Sequence, residues 1–183
     1  GDCWVLKLDN FGDIEWQKTY GGSDKDYPKD IQLTNDGGYI LACTSDSNDG
    51  DLENNAGSND CWVVKLDNSG NIEWQKTYGG MGPDYTKSIE KTSDNGYIIS
   101  ASVYSYDNVA SGGTVSYDYW VIKIDNSGNI EWEKKNGGSD DEQVGNIIQT
   151  IDGGYIVTGS SRSNDRDISI NHGSYDFWVV KLD

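Results

Sequence analysis

DCWVVKLDNSGNIEWQKTYGG, residues 60–80, is the stretch that decides the fold. Its two apolar runs are separated by a short Asn/Ser/Gly segment, which predicts a strand, a tight turn and a second strand. The same phrase occurs with small changes from Asp2 and from Asp118, and its first half occurs again from Asp176. Successive copies therefore start 58 residues apart. A fixed period of this length is the signature of a repeat architecture.

Each repeat is predicted to contain four strands. In the first they cover residues 27–34, 39–45, 61–67 and 72–78; in the second, residues 85–92, 97–103, 119–125 and 130–136. The third gives residues 143–150, 155–161 and 177–183, and the start of the chain supplies residues 3–9 and 14–20. Helical periodicity is lacking, so the chain is predicted to be all-β.

Four antiparallel strands per repeat, with tryptophans placed to pack between repeats, are typical of β-propeller blades. We therefore expect a single β-propeller-like domain of three four-stranded blades plus an extra strand. Its divisions are a partial blade 1–26, blades 27–84 and 85–142, and an incomplete blade 143–183. Because propellers close with four or more blades, other copies or the rest of a longer chain are expected to complete the ring. A β-trefoil is the alternative fold.

The repeat resembles the bacterial β-propeller repeat called SBBP, through KLDNSGNIEW, TYGGSDKDY and TNDGGYILA. Its LDNSGNIEW segment also resembles the tryptophan-docking motif of quinoprotein-type propellers. In that motif a tryptophan four residues after a glycine packs on the neighbouring blade. The pairs Gly12/Trp16, Gly70/Trp74 and Gly128/Trp132 keep this spacing. Similar repeats occur in large bacterial envelope proteins, so the resemblance implies an extracellular or cell-surface location.

The charge balance narrows the possible partners. With 31 acidic and 14 basic residues the formal net charge is −17, which disfavours nucleic acid and anionic membrane surfaces. No apolar run reaches the roughly 18 residues of a membrane helix, so membrane insertion is not expected. The chain begins with Gly1 rather than Met, which indicates a processed product or part of a longer protein.

The long acidic loops predict a calcium site. The loop over residues 47–60 has a counterpart over residues 163–176, and oxygen ligands at alternating positions around a glycine suit calcium. The middle repeat replaces the ligands with Tyr106, Asp107 and Val109. Solvated turns that close on their own backbone are the alternative interpretation. The predicted calcium ligands are Asn48, Asp49, Asp51, Asn164, Asp165 and Asp167.

Two further sets of residues are candidates for ligand binding. A carboxylate precedes the first strand of every repeat, and aromatic side chains lie in or near the long loops. The carboxylates either converge on a cation or substrate, or accept hydrogen bonds from a neighbouring turn. The tyrosines are placed to stack on a ligand. The full set is Asp26, Asp84, Glu142, Tyr104, Tyr106, Tyr117 and Tyr175.

Other pairings have structural interpretations. Lys7/Glu15, Lys65/Glu73 and Lys123/Glu131 are predicted cross-strand ion pairs. Cys43 and Cys61 fall on adjacent strands, and a hairpin register centred on their loop places them side by side, where a disulfide is one possibility. Cys3 is then left unpaired.

Catalysis has little support in the sequence. His172 is the only histidine, and it lies in a loop. We therefore expect no enzyme, but an extracellular binding or scaffold module that presents an acidic, loop-rich face to a protein or glycan. The alternatives are a self-assembly module that uses open blade edges and a fragment of a carbohydrate-active enzyme.

Overall fold

A computed structural model describes residues 1–53, 55–106 and 115–183, and these residues form thirteen β-strands and no helix. Among them, no helix is long and apolar enough to cross a membrane. The strands are β1 (Cys3–Leu8), β2 (Ile14–Tyr20), β3 (Asp26–Leu33), β4 (Tyr39–Ser45), β5 (Asp60–Leu66), β6 (Ile72–Tyr78), β7 (Tyr85–Lys91), β8 (Tyr97–Tyr106), β9 (Val115–Ile124), β10 (Ile130–Asn136), β11 (Glu142–Gln149), β12 (Tyr155–Ser161) and β13 (Asp176–Leu182).

The strands form four separate antiparallel sheets in chain order. These are β1–β2, β3–β4–β5–β6, β7–β8–β9–β10 and β11–β12–β13, and in each one neighbours in sequence are neighbours in space. Each sheet packs its face on the next, so three buried apolar clusters lie between successive sheets. This is a β-propeller-like arrangement of four-stranded blades. Separate up-and-down sheets favour it over the trefoil.

The turn between the third and fourth strand of a repeat is held by its first aspartate. The Asp67 carboxylate accepts the backbone N–H groups of Ser69 and Asn71, both at 2.8 Å. Gly70 has a φ of 75°, a conformation that favours glycine. The turn after β9 repeats these contacts around Asp125. The Asn/Ser/Gly segment of the motif therefore folds as predicted.

The predicted lysine–glutamate pairs are present in all three copies. Lys7 lies 2.6 Å from Glu15, Lys123 lies 2.6 Å from Glu131, and Lys65 pairs with Glu73. A bulge next to Lys65 puts Trp74, not Glu73, directly opposite it in the register. Lys65 and Lys123 are buried, and each also contacts a turn aspartate on the other side. Each buried ammonium is therefore shared by two carboxylates.

Three side chains of β2, and three of β6, dock on the next repeat. The Trp16 indole donates to the Asn68 carbonyl at 3.2 Å, and its ring lies against Gly70. The Tyr20 hydroxyl donates to the Gly70 carbonyl at 2.6 Å, and Lys18 donates to Asn71 at 2.7 Å. Trp74, Tyr78 and Lys76 make the same contacts one period later. The tryptophan docking expected from the glycine spacing is thus observed at both places.

The predicted cysteine register is wrong by one residue. Cys61 lies opposite Thr44, and Cys43 lies opposite Trp62. Because successive residues of a strand point to opposite faces, Cys43 and Cys61 lie on opposite sides of their sheet. They accordingly belong to different buried clusters. A fourteen-residue loop does not fix the register as a two-residue turn would.

Two strands of the middle repeat are longer than predicted. β8 runs to Tyr106 rather than ending at residue 103, and β9 begins at Val115 rather than at residue 119. The added residues pair with one another, from Val103 opposite Asp118 to Tyr106 opposite Val115. Asp107 and Val109 lie outside the described residues.

Candidate functional site

The segments that join one repeat to the next, residues 21–25, 79–84 and 137–141, are called links here. The links and the long loops lie at the same end of the sheets. Each link begins with a Gly-Gly pair, and the carboxylate four residues later accepts the N–H of the second glycine. The distances are 3.0 Å for Gly22 to Asp26, 2.9 Å for Gly80 to Asp84 and 2.8 Å for Gly138 to Glu142. The structure therefore places each of these predicted site residues against the Gly-Gly pair of the link that leads into its strand.

These three carboxylates are buried and their second oxygens also have partners. Asp26 accepts from the Ser45 hydroxyl, Glu142 accepts from Ser161 at 2.7 Å, and Asp84 accepts from the Tyr104 N–H at 3.0 Å. Burial raises the pKa of Asp84, and the two backbone N–H donors and Lys135 oppose that rise. Each carboxylate therefore connects its link to the second strand of the same sheet.

Asp60, which begins β5, differs from these three carboxylates. One of its oxygens accepts the Ala56 N–H at 2.8 Å, while the other is buried without a hydrogen-bond partner among the described residues. Burial raises the pKa of Asp60 to about 6. The hydrogen bond from Ala56 opposes this rise, and the charge of Asp84 adds to it. A Cβ on Gly79 would collide with the Asp60 carboxylate and approach Asp84 to 2.9 Å, so the two acids flank this glycine.

Four of the six predicted calcium ligands accept backbone hydrogen bonds from the link that precedes their loop. Asp49 accepts the Ser23 N–H at 2.7 Å and Asp51 accepts the Gly21 N–H at 3.1 Å. One hundred and sixteen residues later, Asp165 accepts the Ser139 N–H at 2.9 Å and Asp167 accepts the Gly137 N–H at 3.1 Å. Asn164 accepts from the Asn171 backbone, and Asn48 is exposed.

These contacts account for one oxygen on each of the four aspartates. Across residues 1–53, 55–106 and 115–183, no group of three or more His, Cys, Asp or Glu side chains is arranged to hold a metal ion. Amide and backbone oxygens also bind calcium, so the calcium site stays a prediction.

The predicted aromatic residues line two adjoining cavities. One, of about 300 Å³, is lined by Tyr85, Tyr117 and Tyr175 together with Asp141, Glu142 and Gln143. Tyr85 and Tyr175 are each 39% exposed. The Arg162 guanidinium lies 5.5 Å from the centre of the Tyr175 ring. The cavity thus combines aromatic surfaces with hydrogen-bonding groups and one nearby cation.

The second cavity, of about 370 Å³, is lined by Tyr104, Asp84, Trp120, Glu133, Lys135 and the Gly79–Gly82 link. The Trp120 indole donates to Glu133 at 2.8 Å, and the Lys135 ammonium lies 5.5 Å from the Trp120 ring. These contacts orient the Trp120, Glu133 and Lys135 side chains, which form a partly polar wall of this cavity.

A tyrosine cluster joins the two cavities. The Tyr104 and Tyr117 rings are 5.2 Å apart between centroids, and the Tyr85 and Tyr117 rings are 5.7 Å apart. Burial, the neighbouring tyrosines and Asp141 raise the pKa of Tyr117 to about 12. At neutral pH its ring therefore remains an uncharged phenol.

The structure brings five of the seven predicted ligand residues together. Tyr117, Tyr175 and Glu142 line one cavity, and Tyr104 and Asp84 line the other. Asp26 lines neither of them, and the side chain of Tyr106 lies outside the described part. Sequence reasoning missed Tyr85, although its position as the first residue of a strand, shared with Tyr27 one repeat earlier, was a usable signal.

Comparisons with known proteins add a likeness of fold. No family model and no curated protein matches the chain. A protein of unknown function from Bacteroides caccae is similar in structure, with a TM-score of 0.50 and 10% identity over 85% of this chain and 46% of that one. An ACO/RPE65 chimera has a TM-score of 0.47 and 16% identity over 86% of this chain and 36% of that one. The chain thus spans less than half of either structure.

Proposed function

We propose that this protein is a non-enzymatic binding module, built from three SBBP-like blades, which recognises a glycan at the extracellular or cell surface. The tyrosine cluster between the two cavities is the single observation that carries the proposal. Sugar rings present apolar faces that pack on aromatic side chains, and hydroxyl groups that need hydrogen-bond partners.

The polar groups at the cavities fit such a ligand. Asp141, Gln143 and Glu133 offer acceptors and an amide, and Arg162 and Lys135 offer donors, all close to the exposed tyrosines. The net charge of −17 disfavours a strongly acidic glycan, so the proposed ligand is neutral or basic. The surrounding loops stay acidic, and calcium is proposed to organise them through Asp49, Asp51, Asp165 and Asp167.

The experiment is a glycan array followed by titration calorimetry with the best binder, in calcium and again in EDTA. Tyr175→Ala is expected to weaken binding at least tenfold. Tyr27→Ala is the matched control, because Tyr27 is 43% exposed and lines neither cavity. Equal affinities for both variants and the wild type would contradict the site.

The arms of this experiment separate the remaining alternatives. Binding that disappears in EDTA supports the calcium proposal. Binding that is unchanged in EDTA excludes a metal-binding role for the four aspartates in glycan recognition. Hydrolysis of the bound glycan would favour the carbohydrate-active enzyme. Absence of glycan binding, with capture of a purified surface protein through Tyr175, would replace the glycan by a protein partner.

Self-assembly is a second candidate function, supported by the outer sheets. Trp4 is 60% exposed and Phe177 is 84% exposed, whereas their equivalents in the two inner sheets, Trp62, Trp120, Cys61 and Tyr119, are at most 5% exposed. Surfaces that repeats bury between them are thus open on the first and last sheets. We propose that further blades, from the same chain or from other copies, cover them. A mass in solution that stays monomeric at all concentrations would exclude assembly of copies.

A further inference from the structure

Cys3 and Cys43 face each other across the first interface between sheets. Cys3 begins β1, Cys43 lies in β4, and neither is exposed to solvent. Their sulfur atoms are 3.2 Å apart, and both residues belong to the same buried cluster. The two strands lie in different sheets, so no backbone pairing holds them together.

The same position recurs at the next two interfaces with different residues. One period on, Cys61 and Ala101 occupy it, and both belong to one buried cluster. Two periods on, Tyr119 faces Gly159, where an added Cβ would collide with the tyrosine hydroxyl. Each interface therefore fills the position by matching the sizes of two side chains. Only the first interface fills it with two sulfur atoms.

We propose that Cys3 and Cys43 form a disulfide when the protein folds in an oxidising compartment, and that Cys61 remains a thiol. In this step the two thiols lose two protons and two electrons, and one sulfur–sulfur bond forms. The electrons reduce the disulfide of a thiol–disulfide oxidoreductase, or of a small-molecule disulfide, to two thiols.

Geometry supports this pairing over the alternatives. A disulfide requires a sulfur–sulfur distance of about 2.05 Å, so the two atoms, now 3.2 Å apart, need to approach by roughly 1.2 Å. Cys61 lies on the opposite face of its sheet from Cys43 and belongs to the same buried cluster as Ala101. The hydrogen bond with Cys3 and burial raise the pKa of Cys43, and burial raises the pKa of Cys61, so neither thiol is reactive in the folded protein and the choice of partner rests on geometry.

The bond would secure the sheet that has the fewest strands. The β1–β2 sheet has two strands, and isolated two-stranded sheets are marginally stable in water. A covalent link across 40 residues restricts the unfolded chain and fixes this sheet to the second one. The burial of both thiols implies that the bond forms before the interface closes.

The test is alkylation of protein refolded with a mixture of reduced and oxidised glutathione. Under denaturing conditions, one alkylated thiol and a proteolytic peptide that links Cys3 to Cys43 are expected, with three alkylated thiols after reduction. Reductant should lower the melting temperature by on the order of 10 °C. Three alkylated thiols without reduction, or a link that includes Cys61, would overturn the proposal.

Variants provide matched controls. Cys43→Ala should abolish the effect of reductant on melting, whereas Cys61→Ala should retain it. Ala101→Cys uses the equivalent position one interface on, and is expected to form a second bond with Cys61 and leave no thiol for alkylation. If Cys43→Ala fails to fold, the linked peptide from the wild type and the thiol count of Ala101→Cys still decide the matter.

Discussion

Replacing Asp60 by asparagine should stabilise the protein at neutral and alkaline pH. Asp60 is 1% exposed, one of its oxygens has no hydrogen-bond partner in the described part of the chain, and Asp84 is nearby. Its pKa of about 6, against 3.8 for an ordinary aspartate, means that folding favours the protonated form. An amide has the same shape and carries no charge that needs desolvation.

The pKa difference sets the size and the pH range of the effect. Each pKa unit corresponds to about 1.4 kcal/mol, so the ionised carboxylate costs up to about 3 kcal/mol of folding free energy above pH 6. In the wild type, this cost is absent below pH 4 and grows as the pH rises from 4 to 6, because the folded state binds more protons there. In Asp60→Asn that contribution to the pH dependence disappears.

Urea unfolding followed by tryptophan fluorescence at pH 4, 5, 6, 7 and 8 measures this effect. The variant should gain stability over the wild type as the pH rises, by up to about 3 kcal/mol at pH 8. Asp176→Asn is the matched control from the third repeat. There the His172 N–H lowers the pKa of the aspartate, so its replacement should give no gain at pH 8. A difference between wild type and Asp60→Asn that does not change with pH would refute the reasoning.

Two further substitutions test the interfaces between repeats. Tyr78→Phe removes the buried 2.7 Å hydrogen bond to the Gly128 carbonyl and should lower the free energy of unfolding by about 1–2 kcal/mol in urea titrations; an unchanged midpoint would show that docking does not depend on it. Gly159→Ala should lower the free energy of unfolding by about 1–3 kcal/mol, because the new methyl group would collide with the Gln143 carbonyl and the Tyr119 hydroxyl. Adding Tyr119→Phe to this variant should recover only part of the lost stability, as measured by calorimetric melting.

Most strand boundaries could be predicted because the period and the turns constrain them independently. The strands 39–45 and 72–78 have the predicted bounds, since glycine-containing turns stop them on at least one side. The lengths of β8 and β9 are underestimated from the sequence, because the pairing of the residues beyond Val103 depends on the partner strand rather than on local sequence.

The site was less accessible to sequence reasoning. The residue types at Tyr104, Tyr117 and Tyr175 indicated an aromatic surface, but only folding shows that two adjoining cavities share it. The carboxylates Asp26 and Glu142 had two interpretations, and the structure places both against their own glycine turns. Which atoms meet across an interface depends on how two sheets are rotated against each other, and a single repeat does not contain that information.

The docking of Trp16, Tyr20 and Lys18 on a turn one period ahead has an evolutionary consequence. Every full repeat carries both the donor strand and the acceptor turn, so blocks of 58 residues can be duplicated or deleted without creating a mismatched junction. Unequal recombination between such similar gene segments would then yield proteins of different length that still fold. The number of blades becomes a heritable variable that selection can adjust, while the loops of individual blades are free to diverge in sequence.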